Sequence, residues 1–173
     1  MTLLDSQPFL QAGFAPHEQL FLLSRPISSA TPEVRRPIST GRPWHRREVL
    51  AIDQRAFEPF WQFDRLTLTE ARRATPVSRF RISRENGRVA GYAVTGRAGP
   101  RGYLQRLAVD PDVAGSGHGT DLVHDSIHWL QRRGATSILV NTQEKNTRAL
   151  ALYERLGFVR HDQGLTVLRW EDR

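Results

Sequence analysis

Between Gly102 and Thr120 the chain reads GYLQRLAVDPDVAGSGHGT, and no other stretch restricts the fold as much. It spells a strand, a short acidic turn and a glycine-rich loop that opens a helix at about Gly119. Gly115, Gly117 and Gly119 alternate with other residues, so no side chain covers their backbone N–H groups. Free amides and the positive end of a helix dipole would converge there, which is a site for a phosphate-bearing ligand. A purely structural glycine turn is the plainer alternative.

The spacing excludes two common phosphate sites. Ala114-Gly-Ser-Gly-His-Gly-Thr120 is G-x-G-x-G, whereas a dinucleotide fingerprint needs G-x-G-x-x-G after a parallel strand. The loop also lacks the Lys-Ser/Thr pair of a nucleoside triphosphate loop.

Hydrophobic periodicity places the other elements. Phe9–Pro26 reads as a short hairpin or two strands, and Val34–Ile38 as a strand. Arg42–Phe57 and Asp64–Ala74 read as helices, the second capped by Asp64 and stopped before Pro76. Around Phe80 and Ile82 the period changes to two, Glu85-Asn86-Gly87 turns, and Val89–Thr95 and Tyr103–Val109 continue an antiparallel meander. A helix from Gly119 to Arg133, a strand at Ser137–Asn141, a helix at Asn146–Leu156 and a last hairpin around Gly164 complete the order. The expected class is α/β with a mixed, mostly antiparallel central sheet flanked by helices.

A second motif, NTRALALYERLGF from Asn146 to Phe158, sharpens the ligand. Asn146, Ala149 and Tyr153 are spaced i, i+3 and i+7, so a helix carries the amide and the phenol on one face. Together, the two motifs resemble those of the GCN5-related N-acetyltransferase (GNAT) superfamily, bacterial type, over about Val34 to Trp170.

The resemblance implies acetyl-CoA as co-substrate, with no metal. It implies that Leu107, Ala108 and Val109 pair with the pantetheine arm, and that Gly115, Ser116, Gly117, His118, Gly119 and Thr120 hold the pyrophosphate. Asn146 would help position the pantetheine, and Tyr153 would protonate the departing thiolate. A strand amide near Leu107–Val109 would meet the developing oxyanion. On this reading an acetyl group passes directly to a primary amine (a protein N-terminus, a lysine or a small amine) in a ternary complex. The alternative is an inactive module of the same fold that binds nucleic acid or a protein partner.

The chain departs from the family pattern at Ala114, where the family usually carries Arg or Gln before the first loop glycine. The general base is not legible. Gln105 and Arg106 occupy the strand that often supplies it, and neither is a base at neutral pH; Glu144 is a loop carboxylate. Asn146 and Tyr153 also have plainer roles, as an N-cap and a core aromatic.

Composition sets the remaining bounds. The absence of cysteine excludes disulfides and fits a reducing cytoplasm. The first residues have neither a basic region nor an apolar core, and no membrane partner is expected. The net charge is +7, and every basic residue but Lys145 among the 25 is arginine. These are scattered, so a solvated surface is the simpler reading and a nucleic-acid partner is not expected. A homodimer is compatible with the resemblance. Arg79–Arg84 interleaves aromatic and basic residues as an exposed strand face would. His124 and His128 mimic a zinc helix, on a face expected to be exposed and without a third ligand. Phe57, Phe60, Trp61 and Phe63 read as packing or as an acceptor pocket.

Finally, GFAPHEQLFLLSR from Gly13 echoes GFVRHDQGLTVLRW from Gly157. Residues 1–27 are accordingly read as an N-terminal hairpin left from a preceding repeat, 28–33 as a linker and 34–173 as the acetyltransferase domain.

Overall fold

A computed structural model of the chain describes residues 6–27 and 31–170. The elements in order are α1 (Gln7–Gln11), β1 (Phe14–Pro26), β2 (Ile38–Thr40), α2 (Arg46–Ala56), α3 (Arg65–Arg73), β3 (Val77–Glu85), β4 (Arg88–Ala98) and β5 (Arg101–Val109). They continue with α4 (His118–Arg132), β6 (Ser137–Gln143), α5 (Thr147–Arg155), β7 (Val159–Arg160) and β8 (Leu165–Trp170). The class is the expected one, a mixed α/β fold whose strand pairings β1–β7, β1–β8, β2–β3, β3–β4 and β4–β5 are antiparallel. Two compact units divide the chain, Pro26–Ile138 in one and the residues up to Arg25 and from Leu139 in the other.

In the larger unit the strand order is β2-β3-β4-β5. Successive side chains of a strand point to opposite faces, so each face receives its own layer. One face packs Phe80, Ile82, Tyr92, Val94 and Ala108 against Val49 and Ile52 of α2 and Leu68 of α3. The other face meets α4, where Thr95 and Ser126 share a hydroxyl hydrogen bond of 2.7 Å. Asp64 caps α3 as its sequence position implies, accepting the Thr67 N–H at 2.7 Å. The first strand falls at Ile38–Thr40 and not at Val34–Ile38, because Arg35 and Arg36 bond to α4 instead of to a strand.

In the smaller unit β1 lies between β6 on one side and β7 on the other, with β8 also paired to β1. The expected N-terminal hairpin is instead a short helix followed by one 13-residue strand. Gly13, at φ +100°, ends α1 in the left-handed region rather than turning a hairpin. The last hairpin differs in the same way. β7 and β8 both run antiparallel to β1, with Ser24 opposite Val159, Leu20 opposite Leu165 and Phe14 opposite Trp170. Residues 28–30 of the expected linker lie outside the described residues.

Candidate active site

The strand before the glycine loop is interrupted at one residue. Arg106 stands opposite Val94 while Leu104 stands opposite Thr95, so Gln105 is an extra residue in β5. Such a bulge bends a strand and frees backbone groups from the ladder. Beyond it the register is regular, with Leu107, Ala108 and Val109 opposite Ala93, Tyr92 and Gly91. Ala108 is buried, whereas Leu107 and Val109 on the other face are half-buried. The Gln105 Oε1 is buried and has no hydrogen-bond partner among the described residues.

Arg106 is fixed by a buried network. Its Nε–H and Nη2–H donate to Asp53 of α2 at 2.8 and 2.7 Å, a two-pronged pairing. Asp53 is fully buried and also accepts the Phe63 N–H at 2.6 Å and the Tyr92 hydroxyl. The guanidinium lies 3.5 Å from the centre of the Phe57 ring and 3.9 Å from that of Phe63. Burial, and next the Asp53 carboxylate, hold the Tyr92 phenol well above its usual range. Phe57 and Phe63 therefore enclose the arginine, and the network ties α2 to the strand that the family resemblance assigns to pantetheine.

The loop itself needs glycine at two places, Gly115 at φ +87° and Gly117 at φ +97°. α4 begins at His118, one residue earlier than expected. Ser116 N–H donates to the Val113 carbonyl and Asp121 N–H to that of Gly117. The amides of Gly115, Gly117, His118, Gly119 and Thr120 have no backbone carbonyl partner among the described residues. Four unpaired donors at a helix start are ordinary, and where small residues leave them uncovered they can receive an anion. The His118 side chain does not lie over them. The ring is 1% exposed, and its Nε2 sits 3.2 Å from Glu85 at the β3–β4 turn. Only its amide remains for a phosphate.

Arg36, which the sequence did not single out, also reaches the loop. Its Nη2–H donates to the Ser116 carbonyl, and its Nη1–H donates to Asp121 at 2.9 Å. The same carboxylate accepts the Arg35 N–H at 3.0 Å.

In the smaller unit Asn146 caps α5, its side-chain oxygen accepting the Ala149 N–H at 3.1 Å. Its amide NH2 is a separate pair of donors. Tyr153 is buried, its ring 5.5 Å from that of Phe158. Glu144 is exposed.

Two sequence readings change. His124 is buried rather than exposed, and His128 bonds to the Pro32 carbonyl at 3.0 Å. Arg79 and Arg81 are not a solvated face but pair with Asp125 of α4 at 3.3 and 3.1 Å. A polar helix face is buried when ion pairs cover it, which periodicity alone does not reveal. Among the described residues no three His, Asp or Glu side chains form a metal cluster. None of the described helices is long and apolar enough to cross a membrane. On α2 an open cavity of about 680 Å³ is lined by Trp44, Arg46, Arg47, Leu50 and Arg65, among others.

The model of the acetyltransferase (GNAT) family matches residues 46–158. The chain belongs to that family. Mycothiol acetyltransferase of Geodermatophilus obscurus is 28% identical over 168 residues, covering 86% of this chain and 54% of its own. The alanine N-acetyltransferase of ribosomal protein bS18 from Escherichia coli K12 is 36% identical over 74 residues, 43% of this chain and 50% of its own. The chain thus spans about half the length of these curated relatives. The crystal structure of the Escherichia coli S18 enzyme superposes with a TM-score of 0.63 at 28% identity, covering 71% of this chain and 77% of that one. The PaiA N-acetyltransferase of Thermoplasma acidophilum, solved in complex with coenzyme A, shares the fold at TM-score 0.66 and 11% identity, covering 78% and 98%. This GNAT chain therefore carries the glycine loop, bulged strand and capped helix in a family to which a mycothiol acetyltransferase and a ribosomal-protein alanine N-acetyltransferase are similar.

Proposed function

We propose that this chain transfers the acetyl group of acetyl-CoA to a primary amine. The observation that carries the reading is the row of open amides from Gly115 to Thr120 at the start of α4, in a chain of the GNAT family. Those amides hold the pyrophosphate. The backbone of Leu107, Ala108 and Val109 pairs with the pantetheine, and the Asn146 NH2 helps position it.

The transfer is direct. The amine nitrogen attacks the thioester carbonyl, a C–N bond forms, and the C–S bond breaks as the tetrahedral intermediate collapses. A strand amide beyond the Gln105 bulge receives the oxyanion. The Tyr153 hydroxyl gives its proton to the departing thiolate. The ammonium must also lose a proton, and Arg106 does not accept it, being a guanidinium cation whose N–H groups already donate to Asp53.

The test is calorimetry with acetyl-CoA, followed by an acceptor screen that detects free CoA with peptides and small amines side by side. Micromolar binding and CoA release with one amine class are expected. Absence of acetyl-CoA binding refutes the reading. The cavity ringed by Trp44, Arg46, Arg47 and Arg65 favours a second reading, a module that binds an anionic macromolecule. In that case the protein is retained on nucleic acid at low salt and released at high salt.

We also infer that residues 6–27 repeat the unit formed by α5, β7 and β8. The support is local: Gly13 and Gly157 both have positive φ, each stops a helix, and each is followed by Phe and a strand. The matched residues Leu20 and Leu165 face each other across the two strands.

A further inference from the structure

We propose that Arg36 supplies the cation of the phosphate site, in place of the side chain absent at Ala114. The proposal rests on the acetyl-CoA reading above. It concerns a residue outside both motifs and outside the segment matched by the family model.

Three observations converge. Arg36 is about 80 residues away in sequence, yet its guanidinium donates to the carbonyl of Ser116, in the centre of the loop. It also lies so close to Gly117 that a Cβ there would stand 2.7 Å from Nη1. A side chain at position 117 would therefore push the cation out of the loop. Lastly, the guanidinium is held by Asp121, whose side chain is 3% exposed, while Arg36 itself is 36% exposed.

The electrostatics explain why both residues are there. A carboxylate in the first turn suits the helix dipole. It also repels an anionic ligand at the same helix end. Arg36 neutralises Asp121, and a guanidinium has five N–H donors, of which these contacts use two. The remaining donors, on the exposed side, meet phosphate oxygen of CoA.

The test is calorimetry of CoA on the wild type, Arg36→Gln, Arg36→Lys and Asp121→Asn. Arg36→Gln should weaken CoA roughly 10- to 100-fold, the range for a hydrogen bond to a charged group. Arg36→Lys keeps the charge without the planar fork and should lose less. The loss should shrink as salt is raised, since part of it is screened charge. Asp121→Asn separates a phosphate contact from a mere brace: it removes a negative charge, so CoA should bind as tightly as to the wild type or more so. With 3′-dephospho-CoA the Arg36→Gln loss should persist, because the contact is to the pyrophosphate, and a loss that vanishes would overturn the proposal.

Arg36→Gln binding CoA within twofold of wild type would overturn the proposal. So would an Asp121→Asn loss equal to that of Arg36→Gln, or a loss insensitive to salt. A wild type that does not bind CoA at all instead sinks the acetyl-CoA reading itself.

Discussion

Replacing Asp53 with Asn keeps the shape of the side chain and deletes its charge. The substituted amide would set two N–H donors against the donors of Arg106, which is 9% exposed and cannot turn to water without leaving Phe57 and Phe63. Removing one partner of a buried ion pair costs about 3–5 kcal/mol, because the other charge stays buried and unpaired. For a chain of this size 1 kcal/mol shifts the melting temperature by about 2–4 °C, so a fall on the order of 10 °C is expected. Urea unfolding and thermal melting measure both figures. Replacing the pair together, Asp53→Leu with Arg106→Met, should recover most of the loss, since no charge is then stranded. The reasoning fails if Asp53→Asn lies within about 1 kcal/mol of wild type, or if the double variant is no more stable than the single one.

Other outcomes are open to direct measurement. Tyr153→Phe should lower kcat with little change in acetyl-CoA affinity; an unchanged kcat removes the phenol from the acid role. Asn146→Ala should cost about 1 kcal/mol through the lost cap on α5, read by urea unfolding, and should weaken CoA as well if its NH2 meets pantetheine. Deleting residues 1–27 removes the strand between β6 and β7, including the buried Leu20 and Leu23. Each such leucine contributes about 1.5–3 kcal/mol of burial, so cooperative melting should be lost; an unaltered melting curve would refute the placement of β1. His45 is shifted below its ordinary value of 6.5, first by burial and then by the Arg84 charge. The fold therefore favours its neutral form. That contribution is present above pH 6.5 and is lost as the pH falls through the lower folded value, so stability should decline on acidification. His45→Gln should flatten that part of the pH profile.

The sequence alone determined what depends on local order. Alternating glycines impose a backbone that other residues avoid, and Gly115 and Gly117 indeed adopt positive φ. The Asp64 and Asn146 caps are equally local, each oxygen reaching an amide three residues on. The meander β3-β4-β5 followed from period and turn residues, and so did the family resemblance that the matched segment 46–158 bears out.

Tertiary structure decided whatever depends on partners far along the chain. Gly13 ends a helix instead of turning a hairpin, and β1 takes its neighbours from the last third of the chain. His124 is polar in sequence yet buried, and Arg79 and Arg81 of β3 are half-buried where Asp125 of α4 pairs with both. Arg106 reads in sequence only as a residue too basic to act as the general base, and its charge partner, Asp53, lies 53 positions earlier. Ala114 looked like a missing contact, whereas Arg36 reaches the same loop from the segment before β2. Sequence spacing reports on neighbours within one element. A counter-charge can come from any element that folding brings within about 3 Å, and only the folded chain shows which one does.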